Sequence, residues 1–118
     1  MDSSPIRVVL PAGDAFVPAF VDAAATFAAR RRYGSDVTSA IVQLVELGCL
    51  CINSSQPSSV SLTVTEATSQ TTVALAGVQP TTTLAKDPGS DFTKTAVSVG
   101  ASASVDHSAT SVSFTFNP

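Results

Sequence analysis

The residue types that carry nucleophilic and acid–base chemistry come together at two places in this sequence. At the first, Asp106, His107 and Ser108 are consecutive, and His107 is the only histidine in the chain. These are the residue types of a serine hydrolase triad. Adjacent residues of a strand point to opposite faces, so Asp106 and His107 do not form a dyad in the hairpin predicted there. We interpret the three as turn residues.

The second place surrounds Glu46, with Cys49 and Cys51 close by in the sequence. We interpret Glu46 as a hydrogen-bonded or solvated carboxylate at the rim of a helix. The two cysteines project about 200° apart on a helix, which favours neither a disulfide nor a shared metal. We predict buried, unreactive thiols and no metal site; a redox Cys-x-Cys pair is the alternative.

These residues lie in an apolar segment, 36–53, whose pattern is helical. Its first apolar stripe repeats at three- and four-residue steps and contains Val37, Ile41, Leu44 and Val45. The opposite face is apolar as well, because Val42, Cys49 and Leu50 surround Glu46. We expect a central helix buried on two sides, with sheet on one side and something else over this second face. Gly48 would let a neighbouring backbone come close, or would stop the helix.

The rest of the chain predicts the elements that position this helix. We predict strands at 6–10, 60–66, 71–77, 103–107 and 111–117, and further helices at 16–33 and 91–100. Gly34 would stop the first helix, and 78–90 is interpreted as an irregular loop with a turn at Lys86 to Gly89. The order βααββαββ with paired hairpins predicts a single α+β domain over 1–118. Its architecture would be a two-layer sandwich, a mostly antiparallel sheet with helices on one face.

Composition limits the classes of partner. The 118-residue chain has a net charge of -3 and only 13% charged residues, so electrostatics give no case for nucleic acid. The three arginines from Arg30 to Arg32 are interpreted as a solvated, cationic helix end. No segment approaches the roughly 20 apolar residues of a membrane span, and the first residues lack the layout of a signal peptide. We expect a cytoplasmic protein without membrane contact.

The element order resembles the ATP-binding fold of histidine kinases, gyrase and MutL, and most closely its short version in bacterial anti-sigma factor serine kinases. The likeness extends from Ile6 to Phe116. A first strand is followed by Leu-Pro and an alanine-rich helix. Leu44-Val-Glu46 stands where that family has a signature helix with a glutamate. A short helix, Ser-Val-Asp-His and a final hairpin end the chain.

The resemblance also implies nucleotide elements from which this sequence departs. The family has an asparagine four residues after the glutamate to hold magnesium, but Leu50 stands there and leucine cannot bind a hard cation. Asn53 lies almost one helical turn further on. The adenine-binding box corresponds to 75–80, which has no carboxylate, and the phosphate lid corresponds to 87–92, which has a single glycine.

We therefore expect a non-catalytic regulatory or protein-interaction module with a degenerate ATPase-like fold and no cofactor. Its binding groove would comprise Val42, Glu46, Cys49, Leu50 and Asn53. The partners that the resemblance implies are a sigma factor, an anti-sigma antagonist or a second copy in a homodimer. The alternative is an active, ATP-dependent serine kinase of the anti-sigma type, with Mg-ATP as cofactor and Glu46 as catalytic base. A third possibility is an interaction domain unrelated to either.

Overall fold

The computed structural model describes the backbone of residues 6–67, 70–79, 86–106 and 110–116, and their side chains except at 67, 86–90 and 116. The predicted order βααββαββ is confirmed. The elements are β1 (Ile6–Pro11), a 3-10 turn (Asp14–Phe16), α1 (Val17–Arg30), α2 (Ser35–Asn53), β2 (Ser59–Ala67), β3 (Gln70–Val78), α3 (Lys86–Ser98), β4 (Ser102–Asp106) and β5 (Ser111–Phe116).

The five strands form one sheet in the order β1-β2-β3-β5-β4, and every neighbouring pair is antiparallel. Strand residues alternate between the two faces, and Leu62, Leu75 and Val112 lie opposite one another across three strands. The alternation of apolar and polar residues in the sequence predicts a helix-facing set, and its described members are buried: Val60, Leu62, Val64, Val73, Leu75, Val112 and Phe114. The side chain of Phe116, which belongs to the same predicted set, lies outside the described residues. The three helices cover this face, so the fold is the predicted two-layer α+β sandwich.

The helix α2 lies in the centre of the helical layer, between α1 and α3 and against β3 and β5. Its buried residues are Ile41, Leu44, Val45, Gly48, Cys49, Cys51 and Ile52. Among the described residues α2 is the one helix long and apolar enough to cross a membrane, which the sequence analysis did not anticipate. In this fold the buried face of α2, which makes up 39% of this apolar stretch, packs into the core.

The second face of α2 is only partly covered, so the prediction of a helix buried on two sides is wrong for this face. Cys49 is buried, but Glu46 is exposed and Leu50 is 52% exposed. Leu50 lies nine residues after Ile41 and therefore about 180° from it around the helix axis, pointing to solvent. Cys49 lies about 100° from Leu50 and reaches the flank that packs against α1.

Helix α1 ends earlier than predicted, and Gly34 is not its stop. The last helical residue is Arg30, and Arg32 adopts a left-handed conformation with φ of 58°. The Tyr33 N–H donates to the Ala28 carbonyl at 3.1 Å, five residues back, as in a Schellman ending. Arg32 therefore takes the position that glycine usually occupies.

Helix α3 is longer than predicted at its start, so the turn expected from Lys86 to Gly89 is wrong. The helix begins at Lys86 and contains Pro88 in its first turn, where a missing N–H removes no helical hydrogen bond. It ends at Ser98, and Gly100 follows with φ of 81°. The Ala101 N–H donates to the Ala96 carbonyl at 2.9 Å, which closes this helix end.

Gly48 permits a close approach to the sheet, but through side chains and not through a neighbouring backbone. The helix continues through it. A Cβ atom at this position would lie 2.5 Å from Leu75 Cδ1 and 3.2 Å from Val112 Cγ2. Both contacts come from buried residues of the sheet, on β3 and β5.

We expect Gly48→Ala to lower the free energy of unfolding by about 1 kcal/mol. Overpacking a core costs about 1–3 kcal/mol, and the better helix propensity of alanine offsets about 1 kcal/mol of it. In a Leu75→Ala background the offending Cδ1 is gone, so the same change should be neutral or stabilising. Urea unfolding of the four proteins gives this double-mutant cycle. A Gly48→Ala effect that is the same in both backgrounds would contradict the packing role.

Candidate functional site

Glu46 lines an open groove between α1 and α2. The other lining residues are Val17, Pro18, Val21 and Asp22 of α1, and the groove has a volume of about 240 Å³. Pro18 can lie in the first turn of α1 because the backbone there needs no N–H donor. The groove has an apolar wall and two carboxylates, so it suits an apolar group beside a cationic one.

The five residues predicted to form one groove are divided among different surroundings. Glu46 is in the α1–α2 groove, and Leu50 is exposed one turn further along α2. Val42 is half-buried, and Cys49 is buried at 1% exposure. Asn53 is half-buried at the end of the helix. The structure therefore brings Glu46 together with residues of α1, which the sequence analysis did not select.

Asn53 has a structural contact. Its Oδ1 accepts a hydrogen bond from the Gly13 N–H at 3.3 Å, which joins the end of α2 to the loop after β1. Gly13 has φ of 130°, a region that favours glycine. Because α2 is regular through Asn53, this amide lies almost one turn beyond Leu50 and not beside it.

The end of β3, where the resemblance implies an adenine-binding box, packs tightly against the segment that follows α2. A Cβ atom at Gly77 would lie 3.2 Å from Pro57 Cβ, 3.3 Å from Ser55 Oγ and 3.4 Å from Ile52 Cγ2. Ser55 is fully buried, and its hydroxyl donates to the Ile52 carbonyl at 2.7 Å. On this side of Gly77 the surrounding atoms leave little room even for a methyl group.

The cysteines and the acidic residues do not form a metal centre in the part of the chain that the structure describes. Among residues that the structure describes, no three His, Cys, Asp or Glu side chains are grouped so as to hold a metal ion. Both cysteines are buried and free, as predicted. His107 and Ser108, of the Asp-His-Ser sequence, lie outside the described residues.

Burial changes the ionisation of both thiols. It raises the pKa of Cys49 from its ordinary value of 9.0 to about 12, and the negative charge of Glu46 adds to the effect. Burial also raises the pKa of Cys51. At neutral pH both sulfurs are therefore protonated, and the nucleophilic thiolate is scarce.

A second concave site lies at the other flank of α2 and was missed by sequence reasoning. It has a volume of about 140 Å³ and lies between the start of α2 and the turn after α3, lined by Asp36, Val37, Ala40, Leu44, Val99, Gly100 and Ala101. The shape of this site depends on where α3 ends, because Val99, Gly100 and Ala101 line it. The sequence analysis placed the end of α3 at Gly100, two residues too late, and therefore could not predict the site.

Comparison with known proteins gives no family for the chain. No protein-family model matches it, and no curated protein shows significant similarity to it.

We expect Cys49 and Cys51 to resist a thiol reagent such as DTNB at neutral pH until the protein unfolds. Burial raises the folded pKa of both thiols, so their contribution to stability is complete below the unfolded pKa of about 9. The contribution of Cys49 is lost as the pH rises towards about 12, and that of Cys51 is lost as the pH rises through its own raised pKa. Urea unfolding from pH 8 to 11 should show that the free energy of unfolding falls as the pH rises. Cys49→Ala should make this decrease with pH less steep. Fast DTNB reaction of the folded protein would contradict the burial.

Proposed function

We propose that this chain is a non-catalytic regulatory module that binds another protein and has a degenerate, ATPase-like fold. The observation that carries the proposal is the filled end of β3. Gly77 contacts Ser55 and Pro57 so closely that even a methyl group has little room there. A purine needs a cavity at least several times larger than a methyl group.

The surface of α2 supports the proposal in a second way. Leu50 stands at the position that would bind magnesium in the family, and its side chain is apolar and 52% exposed. The first amide after Leu50 in the sequence, Asn53, accepts a hydrogen bond from the Gly13 N–H instead. On the C-terminal side of Glu46, the residue one turn along the helix is therefore Leu50, which has no side-chain oxygen with which to share a metal ion.

The same surface has the chemistry of a protein-docking site. Leu50 offers an exposed apolar anchor, and the groove beside Glu46 has apolar walls from Val17 and Val21. Asp22 and Glu46 add negative charge. A matching partner segment presents an apolar side chain flanked by Lys or Arg. By the resemblance, the partner is a sigma factor or an anti-sigma antagonist in the cytoplasm.

One observation keeps an enzyme as the second candidate. Glu46 is exposed and borders an open groove of about 240 Å³, so a substrate hydroxyl can reach it. In that case the chain is an ATP-dependent serine kinase that holds Mg-ATP with unfamiliar residues. Nucleotide binding separates the two candidates.

We expect millimolar Mg-ATP to leave the melting temperature of the protein unchanged. A ligand at 100 times its dissociation constant would add about 2.7 kcal/mol to the free energy of unfolding, which a thermal melt detects readily. Mg-ADP and magnesium alone are the matched controls. A shift with Mg-ATP would overturn the loss of the nucleotide site, and phosphate transfer that Glu46→Gln abolishes would establish the kinase.

We expect Leu50→Asp to abolish partner binding while the protein stays folded, because Leu50 is exposed and belongs to the docking surface. A carboxylate in the last turn of α2, four residues after Glu46, should lower the free energy of unfolding by about 1 kcal/mol. Val97→Asp is the matched control, since Val97 is 69% exposed and lies on α3. Immobilised wild type and both variants would be incubated with extract of the source cell, and retained proteins identified. Sigma-pathway proteins retained by the wild type and by Val97→Asp should be lost with Leu50→Asp. Equal retention by all three would contradict this docking surface.

A further inference from the structure

The cavity between the start of α2 and the turn after α3 has no part in the function proposed above. Its α2 wall consists of residues one turn apart on the same face of the helix, Asp36, Ala40 and Leu44, with Val37 beside them. Leu44 is fully buried and Ala101 almost so, and these two form the deepest part. The volume is about 140 Å³. Since an apolar cavity of about 150 Å³ stays dry and binds benzene, this one can hold a group the size of phenyl or isobutyl.

One charged side chain stands at the rim of this cavity. Asp36 is exposed, and among the described residues no hydrogen bond or ion pair engages its carboxylate. Ala40 lies about 6 Å beyond Asp36 along the axis of α2, and Leu44 lies about 12 Å beyond it. An apolar group beside Ala40 therefore leaves the polar end of the same ligand within reach of the carboxylate.

The electrostatics of the cavity favour a cation. The start of α2 contributes about +0.5 of an elementary charge and the end of α3 about −0.5, so these offset each other and the carboxylate of Asp36 remains. In the turn after α3, the N–H groups of Val99, Gly100 and Ala101 all donate to carbonyls of α3, at 2.9–3.2 Å. These three N–H groups are engaged, so they do not bind an anion.

We propose that this cavity binds a small primary amine in its ammonium form, with a carbon group the size of phenyl or isobutyl. The carbon group lies beside Ala40 and Val99, and the ammonium group pairs with Asp36. Both parts are needed, because an ammonium ion alone gains little from an exposed carboxylate. The site is separate from the groove beside Glu46, which lies on the other flank of α2.

Titration of the isotope-labelled full chain with benzylamine tests the proposal by NMR. The amide signals of Val37, Ala40, Gly100 and Ala101 should shift, and the shifts should saturate at millimolar ligand. Benzyl alcohol has the same apolar group without the charge, and it should bind roughly threefold to fivefold more weakly, as expected when one partly exposed ion pair is lost. Methylamine has the charge without the apolar group and should give no saturable shifts.

Two pairs of variants separate the roles of charge and shape. Asp36→Asn should weaken benzylamine binding to the level of benzyl alcohol and leave the binding of the alcohol unchanged. Asp91→Asn is its matched control, since Asp91 is exposed on α3 and does not line the cavity. Ala40→Leu fills the cavity and should abolish binding of both ligands. Ser39→Leu, at the neighbouring exposed position, should bind both like the wild type.

The proposal is overturned by shifts that do not saturate, by equal affinity of the wild type for benzylamine and benzyl alcohol, or by binding that Ala40→Leu leaves intact. Shifts centred on Val21 and Glu46 would place the amine in the α1–α2 groove and also overturn it. Circular dichroism of each variant distinguishes loss of binding from loss of the fold. If Ala40→Leu does not fold, the comparison of wild type with Asp36→Asn decides the outcome.

Discussion

The fold depends on how closely the middle of α2 lies against the sheet. At Gly48 there is no side chain, and Leu75 and Val112 fill that space from β3 and β5, with Phe92 Cε1 of α3 3.4 Å from where a Cβ would stand. These side chains are themselves almost fully buried. Because α1 and α3 both pack on α2, its depth sets the height of the whole helical layer above the sheet. The grooves beside α2 take their shape from this one close contact.

Several contacts fix the C-terminal end of α1, and they contribute unequally to the stability of the fold. Tyr33 Oη and Thr71 Oγ1 share a hydrogen bond of 2.7 Å, and Thr71 is buried, so losing its partner would leave a polar group without compensation. The Arg31–Glu66 ion pair of 2.6 Å is partly exposed and contributes at most about 1 kcal/mol. Arg31 also stacks over Phe27, 5.6 Å from the ring centre. The buried Tyr33–Thr71 hydrogen bond therefore contributes more than the Arg31–Glu66 ion pair to holding the end of α1 in place.

The sequence predicts most of the helices and strands because hydrophobic periodicity is a local property of the chain. The prediction fails where the conformation of a residue depends on tertiary packing. Pro88 and Gly89 were interpreted as a turn, yet a first helical turn accepts both. A left-handed Arg32 has no sequence signal, since glycine is the residue expected there. Cys49 and Leu50 were assigned to one apolar face, although 100° separates them and only one points inward. The groove between α1 and the outer edge of β1 could not be predicted, because its position depends on the order of strands in the sheet, which the order along the chain does not determine.

The apolar surface of the domain is unevenly distributed, and this decides which faces can bind proteins. The open face of the sheet has short polar side chains, such as Thr72 and Thr115, whose hydroxyls bond each other at 2.9 Å. Val9 and Val78, 50% and 37% exposed, lie on this face by the same alternation. Leu50 on α2 and Ile6 on β1 are exposed apolar residues on opposite sides of α1. Asp22 lines the α1–α2 groove and also a groove between α1 and Ile6 of β1, so a single carboxylate contributes negative charge to both.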